Sequence, residues 1–260
     1  MEKLYIIKIG GNIIDDDTKL SDFLQSFAAV DGLKILVHGG GKLATRVAEA
    51  MNIPQQMIDG RRITDAETLK IVTMVYAGSV NKNIVAALQA KGVNALGLTG
   101  ADGNVITAHK RVHPTIDYGF AGDVDAVNSK MIDSLLQLNL ILVFAPITHD
   151  ANNTLLNTNA DTIAQELAKA MSALYEVSLI YCFEKNGVLL DATDDNSVIE
   201  KINPESFSNM KEKGVVSAGM IPKLQNAFTA LEAGVQAVLI GHADNLTSLV
   251  QQQSGTLITK

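Results

Sequence analysis

The sequence predicts an α/β protein with a mainly parallel sheet buried between helices. Two observations carry that prediction. Strand-like runs alternate with helical runs along the 260 residues. The strand-like runs are near-continuous in apolar residues rather than alternating, which is the pattern of strands covered on both faces. A hydrophobic content of 47% supports a large core and one or two domains.

The elements follow in order. The first strand is LYIIKIG, from Leu4, with Lys8 set inside an apolar run. KLSDFLQSFAAV reads as a helix, LKILVHGG as the second strand with its turn, and GKLATRVAEAM as the next helix. Residues 65–91 read as one long helix, with Gly78 as the point of a kink and Thr64 with Glu67 as a capping box. VNALGLTG, LILVFAPI, YEVSLIYCF and VQAVLIG supply further buried strands. GNVITAHKRVHPTIDYGFAGDV is polar and punctuated by Gly and Pro, which suggests a hairpin beside the sheet. THDANNTLLNTNAD suggests a second hairpin that enters a helix at Ala160. A boundary near residue 173 divides the chain into parts 1–173 and 174–260.

Composition narrows the function. The net charge of −7 leaves no basic footprint, so no nucleic-acid partner is expected. Cys182 is the one cysteine, which excludes an internal disulfide and fits a reducing compartment. The N-terminal apolar run is broken by Lys8 and two glycines, unlike a signal peptide. No stretch reaches the roughly 18–20 apolar residues of a membrane span. A cytoplasmic protein without a membrane partner is the expectation.

The chemistry candidates lie at strand ends. Gly10-Gly11 follows Lys8 closely, and Gly39-Gly40-Gly41 follows His38. Ligands of open parallel sheets bind beyond the carboxyl ends of strands. Glycines there let backbone N–H groups approach a phosphate, with a helix N-terminus behind them. Tight strand-to-helix turns are the plainer explanation of each cluster, and two clusters at equivalent strand ends favour the ligand. The second is no Walker A loop, because Leu43 replaces the Ser/Thr after the lysine. GGGKLA does satisfy G-x-G-x-x-A, with Asp59 downstream, so a dinucleotide-binding oxidoreductase is one competing reading. HGGG occurs in esterase oxyanion holes, but the chain has no G-x-S-x-G elbow.

In NTNADTIA, Asn157, Asn159 and Asp161 alternate and share one side if extended, with capping chemistry as the plainer alternative. Lys223 stands near a helix start in GMIPKL, and Arg62 in DGRRITD can clamp a carboxylate bidentately. Each has a surface residue as its plainer explanation. The five histidines have no ligand spacing, and neither H-E-x-x-H nor C-x-x-C occurs, so no protein-built metal site is expected.

Taken together, KIGGNIID, VHGGG, DGRRITD, DYGFAGDV, LNTNAD and AGMIPKL resemble, in order and spacing, the motif series of the amino acid kinase family. The resemblance runs over nearly the whole chain. It implies a three-layer α/β/α sandwich around a central, mainly parallel sheet. It implies transfer of the ATP γ-phosphoryl group to the side-chain carboxylate of an N-acylated glutamate, a step of arginine biosynthesis. Residues 1–173 would bind the acylglutamate and form a dimer; residues 174–260 would bind ATP with its Mg2+. Lys8 and Lys223 would flank the transferring group, with Asp161 orienting both. Amides of Gly11 and Gly40 would meet phosphoryl oxygens. Arg62, Asn157, Gly40 and Gly41 would hold the substrate, with Asn159 supporting the wall. Glu184, Lys185, Asn186, Gly187, Ser217 and Gly219 would contact the nucleotide.

Two stretches depart from the family pattern. Phe183-Glu184-Lys185-Asn186-Gly187 replaces a Thr/Ser-Asp-Val stretch at the nucleotide edge, and Ala121 stands where valine is common. The smaller Ala121 leaves room for a succinyl instead of an acetyl group. Arginine-regulated relatives carry an extra helix before the first strand, which here begins by Leu4. A homodimer without arginine feedback is therefore the expectation. A non-catalytic sensor on the same fold would lack Lys8, Asp161 or Lys223, and all three are present.

Overall fold

The structure, a computed structural model, describes residues 1–58, 60–191, 193–212, 215 and 220–260, the side chain of residue 222 excepted. Strand β1 (Lys3–Ile9) passes through Gly10 into a one-turn helix, α1 (Gly11–Ile14). Helix α2 (Asp17–Ala29) follows, capped by the Asp16 carboxylate, which accepts from the amides of Thr18 and Lys19. Strand β2 (Leu33–His38) leads through the glycine turn into α3 (Gly41–Ala50). A hairpin of β3 (Gln56–Ile58) and β4 (Arg61–Ile63) precedes a long helical run. That run joins α4 (Ala66–Val72), a π-helical stretch (Thr73–Val80) and α5 (Asn81–Ala90).

Next come β5 (Ala95–Leu98), β6 (Ile106–Lys110), β7 (Ala121–Val127), α6 (Ser129–Gln137) and β8 (Ile141–Phe144). They are followed by β9 (Ile147–His149), β10 (Leu155–Thr158) and α7 (Ala160–Met171). The rest comprises β11 (Glu176–Phe183), β12 (Lys201–Ile202), α8 (Pro204–Glu212), α9 (Ile221–Glu232), β13 (Ala237–His242), α10 (Leu246–Val250) and β14 (Thr256–Ile258).

The central sheet has eight strands in the order β12-β14-β13-β11-β1-β2-β8-β5. Every pairing is parallel except β13 with β14. The mainly parallel α/β sandwich read from the apolar strands is thus present. The sheet is continuous across residue 173, because β1 pairs with β11. Both expected hairpins form, β6 with β7 and β9 with β10, and the four strands close into a small barrel beside the sheet.

Each face of the sheet has its own core. Leu4 and Ile6 of β1 pack into one with Leu167 of α7 and Leu224 of α9. Ile7 and Ile9 pack into the other with Phe23 and Leu24 of α2 and Ile84 of α5. Side chains alternate along a strand, so Lys8 shares the face of Leu4 and Ile6. That parity aims it at the layer containing α7, at the carboxyl end of an interior strand.

Three expectations need correction in the long helical run. The departure from α geometry is spread over the eight residues Thr73–Val80, which include Gly78, rather than concentrated in a kink. Asp65, not Thr64, caps the run: its carboxylate accepts from the Thr68 amide at 2.7 Å. Thr64 is fully buried and bonds elsewhere, donating to the Arg62 carbonyl and accepting from Asn157. Finally, Ala66–Ala90 is long and apolar enough, by length and composition, to cross a membrane. Here Ile71, Val72, Val80, Ile84 and Leu88 of that run are core residues, and this apolarity serves packing.

His38 is fully buried at the end of β2, and burial pushes its imidazole down to about 4, with the nearby Lys82 ammonium adding to the effect and a bond to Gly39 opposing it. The unfolded chain takes up that proton near pH 6.5, so it binds more protons than the folded chain between pH 4 and 6.5. Stability contributed at this site is therefore complete above pH 6.5 and falls as pH drops towards 4, by roughly 3 kcal/mol in all. Urea melts at pH 7.5 and 5.0 should show wild type losing about 2 kcal/mol more than His38→Leu. Equal losses would show that His38 does not titrate in this way.

Candidate active site

The carboxyl ends of β1 and β2 meet the start of α7 at an open cleft of about 210 Å³. Lys8, Gly40, Gly41, Arg62, Asn157 and Asp161 line it, together with Asn159. Segments far apart in sequence are therefore brought to one place. A second, narrower cleft is lined by Lys8, Asp161, Tyr181, Phe183, Lys223 and Asn226. Lys8 and Asp161 belong to both walls.

The two side chains at this junction form an ion pair, with Lys8 Nζ 2.6 Å from Asp161 Oδ1 and both only partly exposed. Asp161 sits in the first turn of α7, where the helix dipole favours a carboxylate. Burial pushes its pKa up. The Lys8 and Lys223 ammonium groups, a hydrogen bond from Lys8 and the Arg61 charge outweigh burial and hold the carboxyl below its ordinary range. Lys223 Nζ lies 5.5 Å from the centre of the Phe183 ring. Tyr181, in register with Lys8, donates its hydroxyl to the Asp161 carbonyl at 3.4 Å.

The glycine turns leave helix N-termini open. Gly10 and Gly40 are the residues before α1 and α3, and neither helix start has a side-chain cap. Their first amides are free for an anion from a ligand. Gly40 has φ +149°, and a Cβ there would lie 3.0 Å from the Tyr76 ring. The backbone conformation favours glycine at this position, and the space beside it is tight.

Arg62 is buried against the start of α3. Its guanidinium donates to the Gly41 carbonyl and Thr45 Oγ1, each at 2.9 Å, and to Gln55 Oε1. Asn157 donates to Thr64 Oγ1 at 3.0 Å, which in turn donates to the Arg62 carbonyl. Asn159 caps α7, its Oδ1 accepting from the amides of Asp161 and Thr162. The cap reading and the wall reading of Asn159 are thus compatible: it lines the cleft while holding the turn that carries Asp161.

Residues 184–187 follow β11 but line neither cleft. Lys185 pairs with Asp195 at 2.6 Å, and Asn186 donates to the Asp195 carbonyl. Glu184 is exposed. Gly187 is buried; a Cβ would lie 2.7 Å from Thr256 Oγ1. Ser217 and Gly219 lie outside the described residues, as does Asp59. Among the described residues, no three His, Cys, Asp or Glu side chains gather as a cation site.

Sequence reasoning missed Arg61, Tyr76 and Met57 on the first cleft and Tyr181 and Asn226 on the second. Arg61 was legible as the neighbour of Arg62 in one motif. Tyr76 left a weaker signal, a hydroxyl inside an apolar helical run.

The acetylglutamate kinase of Phocaeicola vulgatus is 55% identical over 259 residues, covering 100% of this chain and 99% of its own. A solved Streptococcus mutans protein, smu.665, is 31% identical with a TM-score of 0.79 and 98% of each chain covered. Carbamate kinase of Giardia lamblia bound to AMP-PNP shares the fold, with a TM-score of 0.69 at 14% identity and coverage of 100% and 99%. The model of the amino acid kinase family matches residues 3–242, and the chain belongs to that family.

Proposed function

We infer that the chain is an ATP-dependent acetylglutamate kinase of arginine biosynthesis. It transfers the γ-phosphoryl group to the side-chain carboxylate of N-acetyl-L-glutamate. The observation that carries this reading is the Lys8–Asp161 pair shared by two clefts. One cleft would hold the acylglutamate and the other the triphosphate, with the phosphoryl group crossing between them.

In the step itself a carboxylate oxygen attacks the γ-phosphorus, the bond to the ADP oxygen breaks, and an acyl phosphate and ADP result. The carboxylate is already ionised, so no proton has to be removed. The protein's contribution is position and charge. Lys8 and Lys223 offset the charge on the moving group, and Asp161 holds both ammonium groups. The amides of Gly11 and Gly40 meet its oxygens. Arg62, Asn157 and Gly41 hold the α-carboxylate end, with Asn159 behind them. Glu184, Lys185, Asn186 and Gly187, beyond the end of β11, would contact the nucleotide outside the two clefts; Ser217 and Gly219, outside the described residues, are assigned to it by the family resemblance alone. Bound with the nucleotide, Mg2+ would supply further positive charge to offset that of the phosphates. A homodimer, division at residue 173 and a cytoplasmic location belong to the same proposal.

Arg61 favours a second acyl group. It lines the first cleft and, among the described residues, makes no ion pair. Ala121, in register with Asn157, lines the same cleft. A succinyl chain ending in a carboxylate suits a cation beside a small residue. ADP release measured with N-acetylglutamate, N-succinylglutamate and free glutamate tests both readings. Turnover with an N-acylglutamate and little with free glutamate is expected. Failure with both acyl compounds would overturn the assignment, and their relative kcat/KM decides between them.

A further inference from the structure

His38 and Asn81 are buried polar residues that the phosphoryl-transfer scheme leaves unused, at 0% and 1% exposed. His38 Nδ1 lies 2.7 Å from the Gly39 carbonyl oxygen. A carbonyl only accepts, so Nδ1 carries the proton and Nε2 is the acceptor. Asn81 supplies the matching donor: its Nδ2 reaches His38 Nε2 at 3.1 Å and the Val143 carbonyl at 2.9 Å. Asn81 Oδ1 accepts from Lys82 Nζ at 3.0 Å, and Lys82 also donates to the Gly97 carbonyl. The histidine therefore has one tautomer and one orientation.

That orientation matters because of the next peptide bond. In a planar trans peptide the C=O and N–H point in opposite directions. Turning the Gly39 carbonyl inward to the imidazole turns the Gly40 N–H outward, to the cleft that Gly40 lines. The Gly39 amide is also fixed, donating to the Ile9 carbonyl at 3.3 Å, just before the other glycine turn. Tyr76 and Val80 of the π-helical stretch stand where a Cβ of Gly40 would point, at 3.0 and 3.5 Å, and Asn81 follows Val80 directly.

We propose that His38 and Asn81 are positioning residues for phosphoryl transfer, a buried relay that sets the Gly39 carbonyl and so aims the Gly40 amide at the transferring group. Asn81, the first residue of α5 after the π-helical stretch, is the far end of the relay. This rests on the kinase reading given above. A neutral imidazole is what the relay needs, since a second ring proton would face the Asn81 amide hydrogens.

The test uses the full chain and two substitutions at one site. His38→Leu removes both bonds, whereas His38→Asn keeps an N–H close to the place of Nδ1. His38→Leu should lower kcat about tenfold or more, with KM for ATP changed less than about threefold, as expected for a displaced donor. It should also speed amide exchange at Gly39, whose N–H donates to the Ile9 carbonyl. His38→Asn should recover much of the rate and the protection. Wild-type kcat and exchange in His38→Leu, or equal loss in both variants, would overturn the proposal. If His38→Leu does not fold, Asn81→Leu cuts the relay at its other end and takes the same two readouts, with unchanged values again overturning it. Absence of turnover in the unsubstituted enzyme would sink the kinase reading instead, and amide exchange alone would then decide the relay.

Discussion

Lys8→Ala is expected to lower kcat by roughly 10²–10³, the range for losing one preorganised donor at a developing charge. Lys8 sits where both clefts meet, paired with Asp161 and 15% exposed. Its surroundings are drier than water, so its charge acts at a higher strength on a phosphoryl group. The effect should fall on kcat more than on KM for the acylglutamate, because the ammonium group meets charge that moves during the reaction. The fold should survive. Asp161 keeps the Lys223 and Arg61 charges nearby, so the carboxylate is not left without compensation. Steady-state ADP release with a thermal melt checks both halves. A near-normal kcat would remove Lys8 from the chemistry; a collapsed melt would make its role structural.

Much of this site could be read from residue order, and the reasons are specific. Lys8 stood out because an ammonium inside an apolar strand is costly unless it is paired. Strand parity puts it on the face of Leu4 and Ile6, and in the structure that face packs under α7. Its partner was legible only as an Asn/Asp alternation, since the meeting of β1 with the start of α7 is a tertiary fact. The parallel sheet was legible because interior strands are apolar on both faces. Two short strands at one end of it were not: β12 has two residues and β14 three, too few to show a period.

The long helix shows a different limit. Its apolar pattern predicted a helix, but nothing local distinguishes a π-helical stretch from an α-helical one. That geometry brings Tyr76 and Val80 to Gly40 and Asn81 to His38, contacts between distant segments. The cap was misplaced for a related reason. Thr64 and Asp65 are both good N-caps, and the choice fell to Asp65 because Asn157 and the Arg62 carbonyl claim the Thr64 hydroxyl. Arg61 and Arg62 are equivalent in sequence and both line the cleft; bonds to Gly41, Thr45 and Gln55 make Arg62 the fixed one of the two.

Asp161→Asn is expected to cost about 10² in kcat by a different route, and a double-mutant cycle can show it. The carboxylate does not touch the transferring group in the proposed scheme; it orients Lys8 and supports Lys223. Asparagine keeps the shape and loses the charge. Both ammonium groups would then have freedom that the transition state must remove, a loss comparable to that of a displaced donor. Helix α7 should lose only about 0.3–1 kcal/mol from its first turn, and the Asn159 cap remains. If Asp161 acts through Lys8, Lys8→Ala and Asp161→Asn must not multiply. The double variant should fall short of the product by about tenfold, equivalent to about 1.4 kcal/mol of coupling and within the range for contacting residues. The further loss in the double variant, beyond Lys8→Ala alone, measures the support Asp161 gives Lys223. Full multiplication of the two losses would mean that Asp161 works independently of Lys8, and the ion pair would then be a feature of the fold rather than of the reaction.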